Sequence, residues 1–215
     1  MNPFIIVLLI GCCLSCKKTE VSVNNNIVTN LDSKWTQNNH LTFEEKLSNA
    51  AISIIDPNVI YTPDYVALKY PNGDVPANTG VCTDVVIRAY RKLGIDLQKE
   101  VHEDMTKNFS LYPNLKKWGL KKCDTNIDHR RVPNLEIFFA RKGTKLPISE
   151  NADDFKTGEI VTWMINDKLP HIGIITNRKS ADGKRNLIVH NVGNGQVVQD
   201  CLFSYKIVGH FKYGN

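Results

Sequence analysis

Gly80-Val81-Cys82-Thr83-Asp84-Val85-Val86-Ile87-Arg88-Ala89-Tyr90 predicts a helix running from about Gly80 to Leu93, with a cysteine in its first turn. Cys82, Val85, Val86, Ala89 and Leu93 share one face, and Arg88, Arg91 and Lys92 fall largely elsewhere. That is the apolar stripe of a helix packed on a core. Asp84 and Arg88 have the i, i+4 spacing of a helical ion pair, and Gly94 is a natural residue to end the helix. Upstream, Thr42-Phe43-Glu44-Glu45 has capping-box spacing. Phe43, Leu47, Ala50, Ala51 and Ile54 then recur at helical intervals until Pro57 ends the run. Residues 57–80 carry Tyr61, Tyr65 and Tyr70 among Pro, Gly and Asn, which reads as a structured loop. Further helices are expected over Leu97–Lys107 and Pro133–Lys142.

The last third changes character. Ile160–Met164, Ile172–Thr176, Asn186–Val189, Gln196–Val198 and Ile207–Tyr213 are short β-branched or aromatic runs. Gly158, Asn177, Asp182-Gly183 and Gly193-Asn194-Gly195 separate them as turns. Helices first and an antiparallel meander after them give an α+β class.

The chain has 215 residues, 42% of them apolar and 23% charged, enough for one globular domain with a tail. The balance of 27 basic to 22 acidic residues is a mild +5, and no dense Lys/Arg cluster points to nucleic acid.

The N-terminal run Pro3–Ser15 is apolar and ends among Cys12, Cys13 and Cys16. It falls short of the roughly 20 residues a spanning helix needs and has the length of a signal-peptide core. No Lys or Arg precedes it. The run resembles a bacterial lipoprotein signal, with Gly11-Cys12 or Ser15-Cys16 as the lipidation site. Cys16 is favoured because Lys17 and Lys18 follow it. The bland counterpart is a short hydrophobic arm. The expected organisation is a signal over 1–16, a polar tether over 17–40 and a domain over 41–215, lipid-anchored or exported in the cell envelope. Without the leader three cysteines remain, Cys82, Cys123 and Cys201. The odd count leaves a spare or working thiol. Oxidising surroundings would allow Cys123 and Cys201 to pair, and the sequence gives no distance between them. No Cys-x-x-Cys pair is present, so no structural zinc site is expected.

Cys82 is the candidate nucleophile. A helix N-terminus offers free N–H groups and a favourable dipole, which lower a thiol's pKa and can hold an oxyanion. A nucleophilic cysteine also needs a base and a group to orient that base. Of the six histidines, His171 begins Pro170-His171-Ile172-Gly173-Ile174 and His190 ends Leu187-Ile188-Val189-His190. Neighbouring antiparallel strands would bring the two rings together, one as base and the other as orienter. Taken singly, a helix cysteine is more often a small core residue, and a strand-end histidine is more often structural.

The order of helix with N-terminal Cys, strand-start His, then a polar residue on the next strand resembles the NlpC-type cell-wall cysteine peptidases, a bacterial branch of papain-like enzymes. Lys156-Thr157-Gly158-Glu159-Ile160-Val161, His171-Ile172-Gly173-Ile174 and Ile188-Val189-His190 match that family's local motifs. Tyr70 precedes Cys82 by the spacing of its substrate-site tyrosine. The resemblance implies a papain-like core with N-terminal helices packed on an antiparallel sheet. It also implies Cys82, His171 and His190 as a catalytic triad, and Tyr70 as a substrate contact. Over a longer span, roughly residues 45–213, the chain resembles a bacterial family of unknown function, number 1287. The segments Gly80–Tyr90 and Asp124-Thr125-Asn126-Ile127-Asp128-His129-Arg130-Arg131-Val132-Pro133-Asn134-Leu135 carry that likeness.

The chain departs from the wider family's usual Asp-Cys-Ser-Gly with Val81-Cys82-Thr83-Asp84. Residues 124–135 are an insertion relative to a minimal domain. Its Asp128, His129, Arg130 and Arg131 either line a site for anionic groups, such as the carboxylates of cell-wall peptides, or form an internal salt-bridge cluster that braces the insertion.

The leading expectation is hydrolysis of an amide bond in a peptidoglycan peptide, or a related acyl transfer, with no metal or organic cofactor. The rivals are a non-catalytic envelope module that binds peptides on the same fold, and a thiol redox protein. The lack of Cys-x-x-Cys weighs against the redox reading.

Overall fold

The computed structural model describes residues 41–214. The leader and tether, with Cys12 and Cys16, lie outside the described residues. Helix α1 (Phe43–Ser53) starts at the capping box. The Glu45 N–H donates to Thr42 Oγ1 at 3.2 Å, and the Thr42 N–H donates to Glu45 Oε2 at 2.8 Å. Two orphan donors at the helix start are thereby satisfied. Helix α2 (Cys82–Lys92) and helix α3 (Leu97–Lys107) follow the predicted periodicity. A short helix α4 (Asn114–Trp118) was not foreseen, and α5 spans Val132–Lys142 with Pro133 in its first turn.

Two short strands, β1 (Ile60–Tyr61) and β2 (Thr79–Gly80), pair in parallel just before α2. The main sheet contains β3 (Thr144–Lys145), β4 (Ile160–Ile165), β5 (Leu169–Lys179), β6 (Asn186–His190), β7 (Val197–Gln199) and β8 (Lys206–Lys212). Its order is β3-β8-β4-β5-β6-β7, with antiparallel neighbours throughout. Only β4 to β7 form the expected meander. β8 crosses back to lie beside β4, pairing Ile160 with Phe211. Phe211 is buried and would be wasted on an exposed edge, whereas between β3 and β4 it packs against Phe139 of α5.

The sheet has different neighbours on its two faces. On one, Ile160, Ile172, Ile174, Val189 and Phe211 meet the helices through Leu47, Val85, Val86, Leu135 and Phe139. Fully burying each such aliphatic side chain contributes roughly 1.5–3 kcal/mol, so this face anchors α2 firmly. On the other, Val161, Trp163, Ile175 and Ile188 pack with Phe155, Cys201 and Leu202. Trp163 Nε1–H is satisfied by the Leu202 carbonyl at 2.8 Å. The helical segments thus lie on one side of an antiparallel sheet, an α+β arrangement.

The expected Asp84–Arg88 ion pair does not form. Asp84 is buried and pairs with Arg130, while Arg88 reaches Asp74 with Nε–Oδ2 of 3.1 Å. The helical spacing permits the local pair, but the buried carboxylate takes the partner that desolvates with it. The thiols are likewise unpaired: Cys82, Cys123 and Cys201 are all free. Cys123 lies 3.8 Å from Thr106 Oγ1, and Cys201 lies 3.5 Å from a ring nitrogen of His190, so the two occupy separate surroundings.

Candidate active site

Cys82 is the first residue of α2. Val81, which precedes the helix, has no side-chain oxygen to cap it. Asp84 does the capping instead, accepting the Val81 N–H at 2.7 Å. Both Asp84 oxygens are also taken by Arg130, with Nε–Oδ1 of 2.9 Å and Nη2–Oδ2 of 3.0 Å. Thr83 Oγ1 donates to the Arg130 carbonyl at 3.1 Å. The Thr83-Asp84 departure from the usual Ser-Gly therefore has a physical purpose. Both side chains fasten the start of α2 to the insertion.

The insertion divides between the two roles weighed for it. Asp128, His129 and Arg130 are buried and inward-facing. Asp128 accepts from Asn114 Nδ2 at 2.8 Å and from the Asp124 N–H at 2.6 Å, and burial raises its pKa. Burial pushes the His129 imidazole down to about 3, so it is neutral. These residues brace the fold. Arg130 also lines the cavity beside Cys82, and so does Arg131. Arg131 pairs with Asp128 at 3.3 Å and lays its guanidinium over the Trp118 ring at 4.3 Å, a cation–π contact at the rim of the cavity beside Cys82.

That cavity has a volume of about 260 Å³ and is lined by Tyr61, Cys82, Lys117, Trp118, Arg131 and Pro170, among others. A larger hollow of about 700 Å³ runs along Asp74, Arg88 and Arg91. It is lined by no cysteine and no histidine, so the chemistry and not the size places the candidate site.

Tyr70 is elsewhere. Its exposed ring sits edge-on to His102 of α3 at 5.2 Å, away from the residues lining the Cys82 cavity. Tyr61 lines the cavity instead, beside Cys82. Burial pushes the Tyr61 phenol up to about 12, which keeps it a proton donor. Tyr61 was visible in the sequence as one of three loop tyrosines. Its pairing in β1 beside β2, which ends just before Cys82, could not be read there.

His171 and His190 come together. His171 Nε2 lies 2.9 Å from His190 Nδ1, with the rings edge to face. Gly173 makes this possible, because a Cβ there would stand 2.6 Å from Ile188 Cγ2 and 3.3 Å from His190 Cβ. His190 Nε2 in turn meets Gln199 Oε1 at 2.8 Å. His171 pairs across the sheet with Trp163 and tilts against its ring.

Cys82 meets the same strand from the helical side. The backbone N–H of Ile172, the residue after His171, faces the Cys82 sulfur and favours the thiolate. In this state the hydrogen bond of the His171 ring runs to His190 and not to the thiol. Cys82 is only 4% exposed. Burial, with a smaller push from Asp84, raises its pKa to about 12 against the N–H groups that lower it. The expected depressed thiol is therefore overturned: desolvation outweighs the helix N-terminus. His171 is pushed down to about 3 by burial and then by His190. Cys82 and His171 both rest neutral. Among the described residues, no group of three or more His, Cys, Asp and Glu is placed to hold a metal ion.

A solved structure titled as an N-acetylmuramoyl-L-alanine amidase from Bacteroides uniformis ATCC 8492 aligns with 80% of this chain and 99% of its own, at 16% identity and a TM-score of 0.46. The Escherichia coli (strain K12) protein called "Uncharacterized protein YijF" is 48% identical over 167 residues, covering 78% of this chain and 80% of that one. Residues 48–213 match the family described as "Domain of unknown function (DUF1287)". A match over most of the domain and a relative of that identity agree, and the chain belongs to the DUF1287 family.

Proposed function

We propose that this protein is a cysteine hydrolase that cleaves an amide bond in a cell-wall peptide, with Cys82 as nucleophile, His171 as base and His190 as the group that orients His171. The observation that carries the reading is the convergence on one strand: the Cys82 sulfur meets the Ile172 N–H from the helix N-terminus, and the adjacent His171 is paired with His190. In the reaction the thiol proton passes to His171 and the sulfur attacks the substrate carbonyl. His171 then returns the proton to the leaving amine, and water hydrolyses the thioester. The Cys82 N–H and the Tyr61 hydroxyl are donors for the oxyanion. Lys117 and Arg131, on the cavity wall, favour a substrate carrying carboxylate. The cell-wall class rests on the resemblance of the His171–Ile174 and Ile188–His190 motifs to those of NlpC-type peptidases, and it fits an envelope location.

The burial of Cys82 and its raised pKa favour a second reading, a peptide-binding module that does not turn over. Mass spectrometry of fragments released from purified peptidoglycan separates the two. The hydrolase reading expects fragments from the wild type that vanish with Cys82→Ala. Binding to peptidoglycan without release, unchanged by Cys82→Ala, supports the module and overturns the hydrolase.

A further inference from the structure

We propose that Gln199 is a positioning residue that fixes the protonation pattern of both histidines, leaving the Nδ1 lone pair of His171 free to take the Cys82 proton. The inference rests on the hydrolase reading for the purpose of that proton, but not for the pattern itself. Gln199 ends β7 and is exposed, while His190 is fully buried behind it. Its side-chain oxygen lies 2.8 Å from His190 Nε2. An amide oxygen can only accept, so His190 Nε2 carries the hydrogen. A neutral imidazole has one N–H, so His190 Nδ1 is bare and must accept. Its partner at 2.9 Å, His171 Nε2, therefore carries a hydrogen. His171 is neutral too, so its Nδ1 is bare. A single acceptor on the edge strand thus sets two rings in series.

Cys201 supplies the competing pattern. Its sulfur is 3.5 Å from the same His190 Nε2. If the thiol donated there, each ring would reverse: His190 Nδ1 would donate to His171 Nε2, and His171 Nδ1 would carry the hydrogen. Such a ring cannot accept from Cys82. Gln199, at the shorter distance and with the stronger acceptor, holds the productive pattern. When Cys82 reacts, its S–H bond breaks and an N–H bond forms at His171 Nδ1. The resulting imidazolium keeps its Nε2–H on His190, and no other reagent is consumed.

The test uses 15N-labelled protein and long-range 1H–15N spectra of the imidazole rings near neutral pH, with His190→Gln to assign the signals. The wild type is expected to show both rings protonated at Nε2. Gln199→Glu keeps an acceptor and should keep that pattern. Gln199→Leu should move both rings toward Nδ1–H, and adding Cys201→Ala should reverse the move. Nδ1–H rings in the wild type, or no change in Gln199→Leu, would overturn the proposal. On peptidoglycan, Gln199→Leu should lower kcat by about 10²–10⁴ with KM little changed, and Gln199→Glu should restore most of it. If the wild type shows the expected rings but turns nothing over, the hydrolase reading fails while the tautomer assignment stands.

Discussion

The two faces of β5 solve the problem of burying polar chemistry in opposite ways. On the helical face, α2 is held by a full ion pair: Asp84 and Arg130 are each 2% exposed in their side chains and joined by two hydrogen bonds. On the other face the histidine pair has no ion-pair partner among the described residues. His171 and His190 are buried as neutral rings against Trp163, satisfied by each other and by Gln199. The difference teaches where rigidity and reactivity reside. The ion pair fixes α2 and cannot change its charge without a large cost. The imidazole pair rests neutral, and in the proposed reaction it takes up a proton when a substrate changes its surroundings.

The largest effect should come from breaking the charged side. Arg130→Ala leaves Asp84 buried and alone, and the cost is about 3–5 kcal/mol in denaturant unfolding. Replacing both partners by apolar residues of similar volume should recover most of that loss. A loss well under 1 kcal/mol for Arg130→Ala would show that the pair is not the anchor of α2.

The next effect sharpens the neutral side. Gly173→Val places a side chain where even a Cβ would crowd Ile188 and His190. Overpacking should cost about 1–3 kcal/mol and separate the two rings. Unchanged imidazole chemical shifts in that variant would contradict the role given to Gly173.

How far these features were legible in the sequence follows from their range. The Thr42–Glu45 capping box and the Leu97–Lys107 helix are local, and both formed as spelled. The partner of Asp84 was not legible. Arg88 satisfied the helical rule equally well, and the actual partner is 46 residues away in sequence. The histidine pair was visible because two strand-end rings on neighbouring antiparallel strands have few other registers available. Tyr61 was hidden by a parallel pairing of only two residues, and Trp118 by a helix too short to show a period. The raised thiol pKa could not be read at all, because the dipole of a helix start is written in the sequence and the burial of the sulfur is not.

The smallest effect near neutral pH is proton linkage, and it separates the faces by direction. His129 and His171 fall to about 3 and His190 is lowered from the ordinary 6.5, so the unfolded chain binds more protons between those values. Their stabilisation is complete above 6.5 and is lost as pH falls toward 3. Cys82 and Cys201 rise from 9 to about 12, so the folded chain holds those protons longer. Their stabilisation is complete below 9 and is lost as pH rises toward 12. Thermal unfolding across pH should give a plateau between these arms, and His171→Gln should flatten the acid arm alone. An acid arm unaltered by that substitution would remove His171 from the account.

The proposed mechanism has Cys82 and His171 each neutral in the free protein, with thiolate and imidazolium arising only during reaction. Iodoacetamide labelling of Cys82, followed by peptide mass spectrometry from about pH 5 to about pH 10.5, tests it directly, since only the thiolate reacts. The account predicts slow labelling that begins to rise only above pH 9, on the way to a midpoint near 12. Fast labelling that persists at about pH 5 and disappears with His171→Ala would mean a preformed thiolate–imidazolium pair, and would contradict it.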